Sequence, residues 1–334
     1  DKSQPSVGRT MGGSWPPGST YKPITAITAL ADGSLTAALP VPCDGYLDVF
    51  KTRFKNHETG SRGAITLREA LETSCDTYFY SLGLGFYNQE PTPAELKRNP
   101  QAESSMQAWS RKFGLGETTG VDVPGEVAGV VPNSASKSES RKNPKLFEPW
   151  ERQWLPGDSV NLSIGQGDLL VTPLQMTNMY AILANGGTKW TPHFGRSIRD
   201  ASGKEEFALP VAKPVSIGLD EKWLAGVREG LIAVNNGANG TARGVFGSDF
   251  PVTTAGKSGT AEKDNGRHTD LAWYCGYAPV EKPEIAACAF IDKGGGGSAV
   301  AAPVVADVFR EYFSKKHRDS MKAAEARDAL AAAE

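Results

Sequence analysis

The sequence predicts an α/β chain of the α+β type, and three observations carry that expectation. Capped apolar segments recur through the first two thirds of the chain, among them Thr66-Leu67-Arg68-Glu69 after Ile65, and Thr172-Pro173-Leu174 running on to Asn185-Gly186-Gly187. Two alternating or apolar runs, 271–278 and 285–292, flank a turn at 279–284 and read as a hairpin, with a β-branched run at 252–261 before them. A helix over 301–315, carrying Val304, Val305, Val308, Phe309 and Phe313, closes the fold.

In chain order, residues 1–13 are polar and glycine-rich and read as a tail or a remnant of an upstream region. Pro16-Pro17-Gly18 fixes a turn. Residues 24–31 are apolar or small on every face and stop at Asp32-Gly33, so they read as a buried helix with Ser19 at its mouth. Residues 41–56 have the mixture of a short strand and loops. Two short apolar helices, up to 73 and from 77, are separated by Ser74-Cys75-Asp76. A proline-rich polar stretch at 91–100 precedes an amphipathic helix over 101–113 stopped by Gly114. Residues 120–131 are loop or short strand, and 133–148, rich in serine and lysine, read as a mobile surface insertion. Strands and loops over 190–216 lead to an amphipathic helix at 220–234, with Trp223, Leu224, Val227 and Leu231 on one face. A glycine-rich loop follows at 235–244, and 316–334 read as an exposed helical tail.

Composition narrows the function classes. A chain of 334 residues with 39% hydrophobic content can bury a sizeable core, and a net charge of −2 with mixed signs offers no basic field for nucleic acid. No run of eighteen apolar residues and no signal-peptide pattern occurs in the chain as given. Cys43, Cys75, Cys275 and Cys288 lack C-x-x-C spacing and His57, His193, His268 and His317 form no H-E-x-x-H pattern, so neither a metal site nor a cofactor is expected. Buried free thiols are the default for the cysteines, although Cys275 and Cys288 fall in neighbouring strands.

The chemistry centres on Ser19 and Lys22. A serine hydroxyl is a weak nucleophile without a base, and a desolvated lysine near other cations can lose its proton and serve as one. Ser-x-x-Lys supplies both groups from one helical turn, at an N-terminus whose free N–H groups favour a forming oxyanion. Ser74-x-Asp76 is either an N-cap for the following helix or a proton relay with a carboxylate holding a lysine. Lys257-Ser258-Gly259-Thr260 is either a strand end or a carboxylate-binding edge, whose glycine lets substrate approach. Glycines beside Gln166 serve either close approach to a ligand or a tight turn.

Taken in order, Ser-x-x-Lys, Ser-x-Asp and Lys-Ser-Gly resemble the signature of the penicillin-recognising serine enzymes. The resemblance is closest to the transpeptidase domain of class B penicillin-binding proteins, in particular the elongation-type penicillin-binding protein 2 group. Further phrases carry it: Phe113-Gly114-Leu115-Gly116 with Thr119-Gly120, Ser163-Ile164-Gly165-Gln166-Gly167 with Thr172-Pro173, and Trp273 to Pro279. It extends from about residue 14 to residue 313, and the domain is expected over 14–315. It implies Ser19 as the acylated nucleophile, Lys22 as its base and Ser74 as the relay. Asp76 stands where most relatives have Asn. Lys257, Ser258, Gly259 and Thr260 resemble the carboxylate-binding set, and the N–H groups of Ser19 and Thr260 the oxyanion hole.

The resemblance implies a five-stranded antiparallel sheet flanked by helices, with a helical lobe and the site between them. It also implies cross-linking of peptidoglycan stem peptides through a Ser19 acyl-enzyme, with β-lactams trapping that intermediate. Relatives carry a membrane anchor, a pedestal domain and an early strand ahead of the serine. Only eighteen residues precede Ser19, so an excised catalytic region of a protein on the outer side of the cytoplasmic membrane is expected, working with a SEDS-type glycan polymerase. A serine β-lactamase, a D,D-carboxypeptidase and a β-lactam-sensing receptor domain share the motifs and are the alternatives.

Overall fold

Helices come first and the main sheet last, in the order of the apolar periods along the chain. The structure, a computed structural model, describes residues 8–262 and 270–331. Residues 1–7 of the expected tail and His268 lie outside the described residues. A 3₁₀ turn, Gly18–Tyr21, leads directly into α1 (Lys22–Ala31), with Pro23 in its first turn, where the missing N–H costs nothing. Asp32 caps the helix and Gly33 follows at φ +78°, the left-handed stop that Asp32-Gly33 predicts. From Lys22 to Ala29, α1 is buried on every side.

Two short ribbons come next, β1 (Val41–Pro42) with β4 (Ala64–Ile65) and β2 (Tyr46–Val49) with β3 (Thr52–Lys55). The lobe around α1 is completed by α2 (Leu67–Glu72), α3 (Asp76–Tyr87), α4 (Pro93–Arg98), α5 (Ser105–Lys112), α6 (Ser134–Ser140), α7 (Pro156–Ser163) and α8 (Pro173–Ala184). The capping boxes at Thr66 and Thr172 form as their sequences require, Glu69 and Gln175 reaching back to the cap N–H groups. Two more ribbons, β5 (Thr188–Lys189) with β8 (Val215–Ser216) and β6 (Ser197–Arg199) with β7 (Glu205–Ala208), precede α9 (Glu221–Asn236) and α10 (Arg243–Phe246). The main sheet has the order β11 (Ile285–Ile291), β10 (Leu271–Ala278), β9 (Ala255–Ala261), all antiparallel, and α11 (Gly297–Ala331) ends the chain.

Both faces of β10 are covered, so its side chains alternate between two cores. Leu271, Trp273, Cys275 and Tyr277 join the lobe core, while Ala272, Tyr274 and Ala278 join a second core with Phe246 and Phe309. The hairpin of β10 and β11 matches the expected runs to within one residue.

Several expectations are corrected. Among the described residues the main sheet has three strands where five were expected. The other strands are two to four residues long and pair with one another in separate ribbons, so none reaches the edges of β9 or β11. The segment 133–148 is no loose insertion: Asn133 caps α6 through the N–H of Ser136, and the buried Lys137 bonds Asp158 at 2.5 Å. In the proline-rich stretch 91–100, a Thr92–Glu95 capping box forms α4. The cysteines are not free thiols, since Cys43 bonds Cys75 and Cys275 bonds Cys288. The second bridge joins residues directly opposite in the β10–β11 register.

Candidate active site

The site lies where the Gly18–Tyr21 turn meets β9. Glycine is required on both sides of that contact. A β-carbon at Gly18, whose φ is +55°, would stand 2.7 Å from the Thr260 carbonyl oxygen, and one at Gly259 would stand 2.9 Å from that of Pro17. Beneath the turn, the Gly18 N–H donates to the Gly165 carbonyl at 2.9 Å, and Gly165, at φ +73°, leaves no room for a side chain against Gly18. Of the two glycines beside Gln166, Gly165 thus admits the protein's own serine turn.

Ser19 sits half-buried on this turn. Lys22 opens α1 one turn on and is fully buried. Its Nζ donates to the Ser74 carbonyl at 2.7 Å, to Ser74 Oγ at 3.1 Å and to Asp76 Oδ1 at 2.6 Å, with the Phe79 ring centroid 5.2 Å away. Ser74 occupies the break between α2 and α3 at φ +59°, a left-handed conformation unusual for a residue with a side chain. That conformation turns both its carbonyl and its hydroxyl toward Lys22. Neither Ser74 nor Asp76 caps α3, whose N-cap is Cys75.

Lys257 projects from β9 opposite Cys275 and is also fully buried, its Nζ meeting the Ser258 carbonyl at 3.1 Å. Burial pushes the proton affinity of both lysines down. For Lys22 the adjacent Asp76 carboxylate opposes that effect. For Lys257 the positive charge of Lys22 adds to it, with weaker relief from Asp76, and the amine falls well below the ordinary lysine range. Two buried amines sharing one carboxylate cannot both keep a proton at low cost. The one in direct contact with Asp76 holds its charge best.

The remaining edge residues are placed but less tightly joined. Ser258 Oγ pairs with Thr241 Oγ1 at 2.7 Å, and Thr260 Oγ1 accepts from the Gly297 N–H at 3.3 Å. Thr260 turns its carbonyl toward Gly18, and in an extended residue the N–H points to the same side, so the N–H of Thr260 faces the serine turn.

Three contributors were not read from the sequence. Thr241 lies in the glycine-rich loop after α9, which Glu72 fastens by accepting the Asn239 N–H at 2.9 Å. Asn56 stands behind Asp76 and accepts its N–H at 2.9 Å. A single Asn or Thr in a loop carries no spacing signal. Glu72 carried none either, being one of two acidic residues, with Glu69, on the short helix before Ser74. Among the described residues, no cluster of His, Cys, Asp and Glu could hold a metal ion.

The family model described as the penicillin binding protein transpeptidase domain matches residues 2–310. Curated relatives include the peptidoglycan D,D-transpeptidase MrdA of Acinetobacter baumannii, 31% identical over 96% of this chain and 46% of its own. The MrdA of Haemophilus influenzae is 31% identical over 95% and 47%. The chain therefore spans about half the length of these relatives. Among solved structures, Pseudomonas aeruginosa PBP2 in complex with WCK 5153 superposes with a TM-score of 0.76 at 31% identity, covering 93% of this chain and 64% of that one. Helicobacter pylori PBP2 in complex with MreC gives 0.77 at 26%, covering 95% and 53%. The chain belongs to the penicillin-binding protein transpeptidase family, of the MrdA or PBP2 type.

Proposed function

We propose that the chain is the catalytic region, over about residues 14–315, of a peptidoglycan D,D-transpeptidase acting in cell-wall elongation. The observation that carries this reading is the contact of fully buried Lys22 with Ser74 and Asp76, one turn from half-buried Ser19. Burial lowers the proton affinity of Lys22 and so frees its amine as the base once it has shed its proton. Ser19 Oγ attacks the penultimate D-Ala carbonyl of a donor stem peptide while giving its proton to that neutral amine. The terminal D-Ala leaves as an amine, taking a proton passed through Ser74 Oγ. An amine of a second stem then attacks the ester, releasing Ser19 and forming the cross-link. The N–H groups of Ser19 and Thr260 stabilise the oxyanion, and Lys257, Ser258 and Thr260 receive the substrate carboxylate across Gly259. The proton lost by the acceptor amine passes to Lys22 and from there to the departing Ser19 Oγ, and the Asp76 carboxylate favours that uptake because it raises the proton affinity of the Lys22 amine.

β-Lactams mimic the D-Ala-D-Ala end and acylate Ser19. The whole protein is placed at the bacterial cell membrane with this region on the outer side. The described residues themselves contain no helix long and apolar enough to cross a membrane. A SEDS-type glycan polymerase is the proposed partner, supported by the related chain solved in a peptidoglycan synthase complex. The test is incubation with a pentapeptide donor and an acceptor stem bearing a free amine, followed by mass analysis. Cross-linked dimer is expected. Free D-Ala without dimer assigns a carboxypeptidase, rapid turnover of penicillin a β-lactamase, and no peptide product a receptor.

A further inference from the structure

Behind Asp76 lies a support that the reaction scheme above does not use. Asn56, 7% exposed between β3 and β4, accepts two backbone N–H groups on one oxygen: that of Asp76 at 2.9 Å and that of His57 at 3.0 Å. The His57 N–H also lies 3.2 Å from Asp76 Oδ2. The Asn56 amide nitrogen stands 3.7 Å from both sulfurs of the Cys43–Cys75 bridge, and its own N–H donates to the Gly45 carbonyl at 2.9 Å. One buried side chain thus ties the ribbon loop, the disulfide and the first residue of α3 together. Oδ2 of Asp76 is held from the Asn56 side while Oδ1 faces Lys22.

We infer that Asn56 is a positioning residue of the acyl-transfer reaction, fixing the Asp76 carboxylate against Lys22 through the backbone of His57 and Asp76. This rests on the transpeptidase reading. Asp76 on α3 raises the proton affinity of Lys22, Lys257 on β9 feels the Lys22 charge, and the Lys22 amine also faces the Phe79 ring; Glu262, just past β9, acts with Asp76 on Tyr80. The His57 ring belongs to the same loop as Asn56 and is exposed. Loosening Asp76 leaves Lys22 buried with less compensating charge, so it yields its proton at lower pH. A second carboxylate at position 56 has the opposite effect.

The experiment is the rate of acylation by a fluorescent penicillin across pH, for wild type, Asn56→Ala, Asn56→Asp and each on an Asp76→Asn background. Asn56→Ala should lower the rate about tenfold or more. It should also move the acid limb of the profile down by about one pH unit, and Asn56→Asp should move it up. Asn56→Ala should not move it further once Asp76 is Asn, whereas Asn56→Asp should still raise it, since its own charge acts on Lys22. An unshifted Asn56→Ala limb with a lower melting temperature would overturn the inference, as would an equal Asn56→Ala shift with and without Asp76. If Asn56→Ala fails to fold, Asn56→Ser, whose shorter side chain withdraws the acceptor oxygen from both N–H groups without adding charge, decides the matter by the same criteria. A wild-type protein that takes no penicillin at any pH refutes the parent reading and this inference with it; normal wild-type acylation with unshifted variants refutes this inference alone.

Discussion

Replacing Lys257 by methionine should make the protein more stable and catalytically dead. The amine is wholly buried on β9, where among the described residues it meets the Ser258 carbonyl at 3.1 Å, and the Lys22 charge nearby depresses its proton affinity further. In the unfolded chain the same lysine binds a proton up to about pH 10.4. Because the folded form binds it less well, the unfolded state holds more protons and stability rises with pH. The cost is greatest at and below the folded-state value, and it shrinks to nothing as pH climbs to the ordinary lysine range. At pH 7.5 its ceiling is about 4 kcal/mol, the work of deprotonating an exposed lysine there. Methionine has a similar length and no charge to desolvate. The expected gain is about 1–4 kcal/mol at pH 7.5, narrowing by pH 10, with acylation abolished. Urea unfolding of both proteins at pH 6.5, 7.5 and 9.5 measures it. A less stable variant, or a gap that does not change with pH, would refute the reasoning.

Other predictions follow from backbone and bridge geometry. Ser74→Gly removes a left-handed residue with a β-carbon, so it should keep or raise the melting temperature, by about 1 kcal/mol of relief. It should still lose about a hundredfold in acylation rate as the relay hydroxyl goes, and Ser74→Ala should lose the rate without the stability. Gly259→Ala drives a methyl to 2.9 Å from the Pro17 carbonyl and 3.1 Å from the Thr20 N–H, pushing the serine turn off β9; titration with fluorescent penicillin should show at least a tenfold loss in second-order rate. Changing Cys43 and Cys75 together to serine opens a bridge spanning 32 residues, so unfolding should come about 4 kcal/mol more easily, with a slower acylation rate in the folded fraction.

What was legible divides along the range of the forces involved. Local signals located their elements well: the boxes at Thr66 and Thr172, the stop at Asp32-Gly33 and the alternation through 271–278 each depend on neighbours a few residues away. Long-range partnerships left no such trace. Asp158 makes Lys137 a buried anchor, and nothing in 133–148 announces a partner 21 residues on. The Cys43–Cys75 pairing depends on two ribbons folding back toward α3, which the spacing of four cysteines does not encode. The motif order brought Lys22, Ser74 and Asp76 together in space as chemistry requires. Asn56 behind Asp76, and Glu72 holding the loop of Thr241, came into view only with the fold.

The central claim is that Ser19 is the nucleophile of a penicillin-sensitive acyl transfer. Intact-protein mass after mixing with a penicillin, for wild type and Ser19→Ala, tests it most directly. One drug mass added to the wild type and none to the variant is the predicted result. No adduct on folded wild type, or the same adduct on both proteins, would contradict it.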